Sequence, residues 1–598
     1  MDIGTLLQAY KTGAVSPSQV VKEIYAQIRE KGERPVWITL VDEQANLERA
    51  CLLEEAGPDA SLSLYGIPFA VKDNIDVVGM ATTAGCPDFA YIPTSSAEVV
   101  DRLLRAGAIL IGKTNMDQFA TGLVGVRSPY GVCSSVFNSK YISGGSSSGS
   151  AVAVGQGVVS FSLGTDTAGS GRVPAAFNNL VGLKPTRGLV STHGVVPACK
   201  TLDCVSIFAE TCGDAARVLK VIRGADAKDS FSRTARPGEG ATPWIRGKFK
   251  FGVPTEESLE FFEDDFTREG LQDAIKALRG LGGEEVRFDY GVFKAVADLL
   301  YSGPWVAERL AAVHDFVDQH LGSMDPTVGK IIKSGEKYTA VHAFEAEYKL
   351  KALRQSTSVV LDTVDFLLLP TAPTTYTVEQ VESAPLELNT KLGYYTNFVN
   401  LLDLAAVSVP VGMRPDGLPV GVSLIGRAFT DEGLLLEADY LHRALAKTLG
   451  GSARLLSETK PLEGDATPSG CVLMAVVGAH LSGEPLNWQL TLRKARFVRK
   501  VKTLPEYKLF ALSNSIPPKP GMVHSPGFAG PGIDLEVWAM PEDTVGSFLM
   551  GIPAPLCLGT IRLEDGTMVK GFLCEPSGVI GADDITHFGG WRAYLKSR

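Results

Sequence analysis

Short apolar segments alternate with longer stretches of helical periodicity over the first three quarters of the chain. Helical periodicity is clear at 97–106 and 432–449, and short apolar segments typical of buried strands occur at 108–111, 366–369 and 406–411. Helices that alternate with buried strands are characteristic of a sheet covered by helices. The pattern therefore predicts an α/β fold for this part of the chain.

The pattern changes after the polar, glycine- and proline-containing segment KPLEGDATPSG, residues 460–470. Beyond it, short apolar or alternating segments predict strands, namely 471–481, 506–513, 533–541, 557–566 and 568–575. A chain of 598 residues is also long for one ordinary domain. We therefore predict an α/β domain at 1–459, a linker at 460–470 and a smaller β-rich α+β domain at 471–598.

Composition and charge narrow the classes of partner. The formal net charge of −10 opposes a nucleic-acid partner. The amphipathic start lacks the apolar core of a signal peptide, and no apolar run approaches the roughly 18 residues of a membrane helix. The nine cysteines show neither CxxC spacing nor a neighbouring histidine cluster. We expect a cytoplasmic protein without a metal site and without nucleic-acid or membrane partners.

Glycine and serine are concentrated in two nearby segments where packing alone favours neither. GGSSSGS at 144–150 and GTDTAGSGR at 164–172 flank the apolar run 151–159, a predicted buried helix, and the short predicted strand 161–163. Backbone N–H groups in such loops can bind an oxyanion. Plain turns are one alternative. A phosphate-binding loop is another, although the GxxxxGK[ST] pattern is absent. Two such loops joined by a buried helix favour an active site.

A serine nucleophile needs a base, and histidine is poorly represented near these loops. Only His193 lies close to them in sequence. Lys72 follows the apolar run 65–71, a predicted buried strand, and burial lowers the pKa of a lysine so that it can act as a neutral base. The alternative is a lysine that extends from the strand end to solvent. Lys72 is therefore a candidate base.

The segments GIPFAVKDNID, GGSSSGS, GTDTAGSGRVPAAF and VGLKPTRG together resemble the amidase signature family. The resemblance implies a mixed β-sheet core covered by helices. It also implies a catalytic set of a lysine, a serine in a cis peptide and a nucleophilic serine, which correspond to Lys72, Ser146 and Ser170. In that mechanism Ser170 attacks an amide carbonyl, and its proton passes through Ser146 to Lys72 and then to the leaving nitrogen.

The nucleophile loop supplies the oxyanion-hole candidates. They are the backbone N–H groups of Thr167, Ala168 and Gly169, with that of Ser170 itself. Ala168 stands where the family usually has glycine, and we expect only a small steric change from it. Asp166 and Arg172 flank Ser170 with opposite charges, and we interpret them as a structural pair that fixes the loop.

The segment YSGPWVAER at 301–309 is the best indication of a substrate pocket. Pro304 suits the first turn of a helix, which places Arg309 in the second turn and Tyr301 just ahead of the start. Taken alone, the pattern is explained better by a tyrosine packed on a surface arginine. With the appended C-terminal domain, however, the segment resembles the allophanate hydrolases, in which such a pair binds the substrate carboxylate. Gly122, in ATGLVGVRSPYG, is a further pocket candidate through its backbone.

This resemblance implies an activity. The terminal amide of allophanate, urea carboxylate, is hydrolysed through an acyl-enzyme on Ser170 to ammonia and N-carboxycarbamate, which decarboxylates to carbon dioxide and ammonia. It implies no cofactor and a functional link to a biotin-dependent urea carboxylase. We also expect a homodimer, the commonest oligomer. The alternatives are a broader amidase, the amidase subunit of a transamidating complex, and a silent scaffold, which is expected to lose Lys72 or a serine.

The C-terminal segments GAHLSGEPLN, TLPEYKLFAL, PAPLCLGTIRLEDG and DITHFGGWRAYL resemble the C-terminal region of the allophanate hydrolases. That region is related to the γ-glutamylcyclotransferase-like fold and is linked in the family to decarboxylation of N-carboxycarbamate. The polar candidates here are His480, Asn487, Glu536 and Arg592. For His480, a hydrogen-bonded core histidine after a buried strand is the alternative.

Overall fold

The computed structural model describes residues 1–31, 35–59, 61–235, 249–462, 470–513 and 516–598. The described residues up to Thr234 and from Phe249 to Leu462 form one compact unit, and those from Gly470 onward belong to a second. Residues 463–469 of the predicted linker lie outside the described residues. The boundaries 1–459 and 471–598 therefore stay a prediction.

The first unit is built on one mixed sheet. Its strands are β1 Trp37–Leu40, β2 Pro68–Lys72, β3 Ile109–Thr114, β4 Phe161–Asp166, β5 Val181–Lys184, β6 Cys204–Ala209, β7 Phe249–Pro254, β8 Gly283–Phe288, β9 Phe366–Pro370, β10 Ala405–Met413 and β11 Pro419–Gly426. Among the described residues their order is β1-β3-β2-β4-β6-β5-β10-β11-β9-β7-β8. Strand β2 is parallel to both β3 and β4, whereas β10 is antiparallel to β5 and β11. The predicted α/β class is confirmed.

Helices connect and cover these strands. They are α1 Ile3–Thr12, α2 Pro17–Lys31, α3 Glu43–Ala56, α4 Glu98–Arg105, α5 Ser148–Gly155, α6 Val173–Phe177, α7 Cys212–Ile222, α8 Asp265–Gly280, α9 Gly291–Ser302, α10 Trp305–His320, α11 Pro326–Lys333, α12 Ala340–Leu361, α13 Val378–Ser383, α14 Glu387–Leu392, α15 Phe398–Leu401 and α16 Asp431–Leu445. No helix in the described parts of the chain is both long and apolar enough to cross a membrane.

The buried helix α5 differs from its predicted bounds of 151–159. It begins at Ser148 and ends at Gly155, and every residue in it is buried. Small residues allow this close packing: a Cβ atom added to Gly149 would lie 2.6 Å from both the Asn115 nitrogen and the Val36 oxygen. The helix therefore includes serines and a glycine that its apolar pattern alone did not reveal.

The second unit is β-rich, as predicted. Its strands are β12 Cys471–Val476, β13 Arg496–Lys502, β14 Tyr507–Ala511, β15 Pro520–His524, β16 Asp534–Pro541, β17 Leu556–Arg562, β18 Met568–Cys574 and β19 Asp583–Asp584. Its helices are α17 Trp488–Leu492, α18 Glu542–Leu549 and α19 Trp591–Lys596. The described strands form a five-stranded sheet, β13-β16-β12-β18-β17, and a three-stranded sheet, β15-β14-β19. Strand β13 was not predicted because it is a charged edge strand that is only partly buried.

Candidate active site

The candidate site lies at the ends of two neighbouring parallel strands, β2 and β4. Strands β2 and β4 are paired in register, and both are buried along their whole length. Because carboxyl ends of parallel strands meet at the same edge of a sheet, Lys72 at the end of β2 lies beside Thr165 near the end of β4. The Lys72 side chain is fully buried. The alternative of a lysine that extends to solvent is therefore wrong.

Lys72 is held by two hydroxyl groups. Its Nζ donates hydrogen bonds to Ser146 Oγ at 2.7 Å and to Thr165 Oγ1 at 2.8 Å. Burial lowers the pKa of Lys72 to about 7, although the nearby carboxylates, Asp117 foremost, act in the opposite direction. A substantial fraction of this lysine is thus neutral near neutral pH and able to accept a proton.

The turn that carries Ser146 is closely packed. The Gly145–Ser146 peptide bond is cis, which is the conformation that the family resemblance implied. A Cβ atom on Gly145 would contact Asp117 Oδ2 and lie 2.6 Å from the Gly125 nitrogen. Asp117 in turn accepts backbone hydrogen bonds from residues of the facing loop, including that of Gly125 at 3.0 Å. The position of Ser146 therefore depends on a glycine before it and on this buried aspartate.

Ser170, the candidate nucleophile, lies in the loop after β4 and is buried. Its Oγ donates to the backbone oxygen of Gly122 at 3.4 Å. Within the described residues, no hydrogen bond joins Ser170 Oγ to Ser146 Oγ. The link from Lys72 to Ser146 is thus formed, and the link from Ser146 to the nucleophile is not.

The nucleophile loop presents free backbone donors. In the described part of the chain, the N–H groups of Thr167, Ala168, Gly169 and Ser170 have no acceptor. Ala168 is buried and belongs to an apolar cluster with Leu202 and Tyr395, so its extra methyl group is accommodated. These N–H groups are available to an oxyanion, and their role as an oxyanion hole stays a prediction.

Asp166 and Arg172 form the pair that the sequence indicated. Arg172 Nε and Nη2 donate to the two carboxylate oxygens of Asp166 at 2.9 and 3.0 Å, and both side chains are fully buried. Burial alone raises the pKa of Asp166, but the Arg172 guanidinium holds it below its usual value. The Gly171 N–H also donates to Asp166 at 3.0 Å. The pair therefore closes the loop around Ser170.

Arg309 is buried with part of its guanidinium unpaired. It lies in the second turn of α10, as predicted, and only 2% of it is exposed. Its Nη1 donates to Thr121 Oγ1 at 3.2 Å and weakly to the Ala120 oxygen at 3.4 Å. Nε and Nη2 have no hydrogen-bond partner among the described residues. The interpretation of a surface arginine is therefore wrong, and an anion is the expected ligand of the free edge.

Tyr301 accompanies this arginine. The Arg309 guanidinium lies 5.5 Å from the centre of the Tyr301 ring. Tyr301 occupies the last turn of α9, whereas the sequence placed it only ahead of the next helix. Gly303 and Pro304 end α9 at Ser302, one residue beyond Tyr301. The predicted pairing of the two side chains is present.

One loop connects the unpaired guanidinium with the candidate nucleophile. Arg309 contacts Thr121, and Ser170 contacts the next residue, Gly122. A Cβ atom on Gly122, which has a φ of 152°, would lie 2.6 Å from Asp117 Oδ2. Only glycine therefore fits at position 122, and the contact partners of Arg309 and Ser170 are adjacent residues. The role of the Gly122 backbone in a pocket stays a prediction.

The four C-terminal candidates lie in two places within the second unit. His480 Nε2 is 2.9 Å from Gln489 Oε1, and its ring stacks on Phe572. Asn487 Nδ2 donates to the His480 oxygen at 2.9 Å, and burial lowers the pKa of His480. This partnered histidine also lines a cavity of about 150 Å³ with Phe572.

Glu536 and Arg592 form the other place. Arg592 Nη1 donates to Glu536 Oε1 at 2.9 Å, while Ser482 donates to Oε2 through its backbone and its hydroxyl. The pair lines a separate cavity of about 440 Å³. Among the described residues, no hydrogen bond connects this pair with His480 or Asn487. The C-terminal candidates therefore do not form one site.

Three buried residues at the site were missed from the sequence. Thr165 lies inside the GTDTAGSGR segment, so the motif contained the signal. Asp117 and Asp203 lie in segments without such a pattern. Asp203 accepts from Thr167 Oγ1, and burial raises its pKa to about 6. Their importance is visible only from the partners that the fold brings to them.

Comparison with known proteins identifies the class of this fold and site. The Amidase family model matches residues 19–435, and the model of the allophanate hydrolase C-terminal domain matches residues 472–596. The chain belongs to the amidase family and, within it, to the group that carries an allophanate hydrolase C-terminal domain. Both resemblances inferred from the sequence are confirmed.

Individual relatives narrow the group further. Urea amidolyase of Saccharomyces cerevisiae is 43% identical over 578 residues, which cover 94% of this chain and 31% of that protein. The solved allophanate hydrolase of Kluyveromyces lactis is 41% identical with a TM-score of 0.84, covering 99% of this chain and 98% of that one. One subunit of the glutamyl-tRNA(Gln) amidotransferase of Alkaliphilus metalliredigens is 32% identical, over 74% and 96% of the two chains. The chain thus spans about a third of the length of the urea amidolyase.

Proposed function

We propose that this chain is an allophanate hydrolase, which hydrolyses the terminal amide of urea carboxylate to ammonia and N-carboxycarbamate. One observation carries the choice of substrate: the buried guanidinium of Arg309 keeps Nε and Nη2 unpaired within the described residues. These two N–H groups are one edge of the planar fork that binds a carboxylate through two parallel hydrogen bonds. The similarity to the Kluyveromyces lactis allophanate hydrolase supports the same substrate.

The residues at the end of β2 and in the two loops have complementary roles in the reaction. Ser170 Oγ attacks the amide carbonyl while its proton moves through Ser146 Oγ to neutral Lys72. The developing oxyanion accepts hydrogen bonds from the N–H groups that follow Asp166. Lys72 then returns the proton to the leaving nitrogen, ammonia departs, and an acyl group remains on Ser170.

Water completes the reaction by the same route in reverse. It attacks the acyl carbonyl and loses a proton toward Lys72, and the C–O bond to Ser170 breaks with return of that proton to Oγ. The product, N-carboxycarbamate, loses carbon dioxide to give carbamate, which decomposes to ammonia and carbon dioxide. The proton relay requires Ser170 Oγ to turn from the Gly122 oxygen toward Ser146 Oγ. Catalytic hydrogen bonds of this kind commonly form fully only when the substrate is bound.

The residue proposed to bind the substrate carboxylate and the proposed nucleophile contact adjacent residues of one loop. Arg309 contacts Thr121, and Ser170 contacts Gly122, so an anion on the free guanidinium edge places the rest of a small substrate near the nucleophile. The hydroxyl of Tyr301 is a further donor for the carboxylate. A small molecule with a carboxylate at one end and an amide at the other matches this arrangement.

The functional partner follows from the chemistry of the substrate. Allophanate forms by carboxylation of urea, so a biotin-dependent urea carboxylase is the enzyme that supplies it. The relative that shares 43% identity is named urea amidolyase and is about three times as long as this chain. A homodimer, a cytoplasmic location and assistance of decarboxylation by the C-terminal domain stay predictions.

The deciding experiment is ammonia release from allophanate compared with propionamide, a neutral amide. We expect a strong preference for allophanate, abolished in Ser170→Ala. Replacing Arg309 by lysine should raise the KM for allophanate roughly tenfold or more, because a point charge cannot form the two parallel bonds, and should leave propionamide hydrolysis nearly unchanged. Equal rates on both amides in the unmodified enzyme would indicate a broad amidase and remove the assigned role of Arg309.

A further inference from the structure

Thr167, the first of the oxyanion-hole candidates in the nucleophile loop, is hydrogen-bonded to a buried carboxylate. The hydroxyl of Thr167 donates to Asp203 Oδ1, and both residues are buried. Thr167 also carries one of the backbone N–H groups that have no acceptor in the described residues. Its side chain and its backbone therefore have separate tasks: the side chain is fixed, and the N–H is left for a ligand.

Asp203 is itself held by the backbone. It accepts the N–H of Ala198 at 2.8 Å on Oδ2 and that of Cys199 at 3.2 Å on Oδ1. With Thr167, three donors converge on this one carboxylate. A side chain held by two backbone donors has little rotational freedom, so it is a rigid anchor for the Thr167 hydroxyl.

The segment that ends at Asp203 is attached to the helix that carries Arg309. The Cys199 thiol donates to the Trp305 oxygen at 3.4 Å. The backbone N–H and the hydroxyl of Thr201 donate to the two carboxylate oxygens of Glu308 at 2.7 and 2.8 Å. The segment that positions Asp203 is thus hydrogen-bonded to α10, the helix that carries Arg309.

A second connection runs through Asn400. Its Nδ2 donates to the oxygen of Asp166 at 2.8 Å and to that of Leu202 at 3.0 Å. Asp166 precedes Thr167, and Leu202 precedes Asp203. The two segments are therefore bridged beside the hydroxyl–carboxylate contact, which fixes their separation.

We propose that Asp203 is a positioning residue for amide hydrolysis, and that it acts through the Thr167 hydroxyl to hold the oxyanion-binding N–H groups in place. The proposal rests on the proposed hydrolysis at Ser170 and is independent of which amide is the substrate. Asp203 touches neither Ser170 nor Lys72 by a hydrogen bond in the described residues. Its effect is expected on the transition state, where the oxyanion develops, and not on binding of the ground state.

The test compares Thr167→Val with Thr167→Ser, measured as kcat and KM for allophanate and for propionamide. Valine has nearly the shape of threonine but no hydroxyl, so kcat should fall roughly tenfold or more with KM within about twofold. Serine keeps the hydroxyl and should restore most of kcat. Thermal unfolding of both variants shows whether each is folded. An unchanged kcat in the valine variant, or a rise in KM alone, would overturn the proposal.

A double-mutant cycle identifies Asp203 as the partner. Asp203→Asn and Thr167→Val are measured singly and together, and we expect the double variant to lose little more kcat than the more impaired single variant. Losses that multiply would show that Thr167 does not act through Asp203. If allophanate is not hydrolysed but propionamide is, the proposed substrate fails, while the same comparisons on propionamide still decide the role of Asp203.

Discussion

At the scale of single residues, the proposed chemistry depends on one lysine whose pKa is lowered by burial. Lys72 has no exposed surface, and its pKa of about 7 results mainly from the loss of water around the ammonium. Its Nζ donates to two hydroxyl groups, those of Ser146 and Thr165, and neither contact requires the nitrogen to be charged. A neutral amine in this position can take the proton of a serine.

This makes a prediction about pH. Lys72 is protonated and inactive below its pKa and neutral above it, so kcat/KM should rise with pH through about 7 and then level off. The measurement is the pH dependence of ammonia release from allophanate. Lys72→Arg, which stays charged, should be inactive throughout. A rate that stays constant between about pH 5.5 and pH 8.5 contradicts the assignment of Lys72 as the base.

At the scale of secondary-structure elements, the site depends on how β4 passes into α6. Asp166 ends the strand, Arg172 precedes the helix, and the ion pair between them closes the loop that carries Ser170. Both charges are fully buried, so each one depends on the other for compensation. The loop can therefore present free N–H groups without support from regular secondary structure.

We predict that Asp166→Asn destabilises the fold by about 3–5 kcal/mol, since it leaves the Arg172 charge buried and uncompensated. Urea unfolding of the full chain measures this change. The matched control is Asp362→Asn, which removes a solvent-exposed pair with Arg427 and should cost less than about 1 kcal/mol. Equal effects of the two substitutions would mean that the buried pair has no special structural role.

At the scale of the whole molecule, the residues of the proposed amide hydrolysis all lie in one unit. The proposed catalytic residues Lys72, Ser146 and Ser170, with Tyr301 and Arg309, all belong to the first compact unit. The C-terminal candidates belong to the second, which has its own apolar core around Met474 and Trp538. Amide hydrolysis is thus expected to need only the residues that precede the predicted linker.

We predict that a fragment of residues 1–462 releases ammonia from allophanate with a kcat within about threefold of the full chain, because its core and its site are complete. The same fragment with Ser170→Ala is the control. Circular dichroism establishes that the fragment is folded. A folded fragment without activity would show that the C-terminal part is required for hydrolysis itself.

Much of this organisation follows from local sequence. Strands such as β9 and β10 and helices such as α4 were predicted because apolar periodicity reports burial directly. The Gly/Ser loops were recognised because glycine and serine are concentrated there, beside apolar runs. Edge strand β13 was missed, since charged side chains on a half-exposed strand conceal its period. The exact extent of α5 depended on glycine contacts with distant backbone, which no local pattern contains.

Contiguous motifs were enough to recognise the family and the α/β and β-rich parts of the chain. The same motifs make Lys72, Ser146 and Ser170 the predicted catalytic residues and Arg309 the predicted carboxylate-binding residue. The groups that surround these residues become visible only in the fold. The unpaired edge of Arg309 and the anchoring of Thr167 by Asp203 join segments far apart in the chain. Burial and hydrogen bonding are properties of the folded neighbourhood, so the lowered pKa of Lys72 and the proposed carboxylate site are consequences of packing.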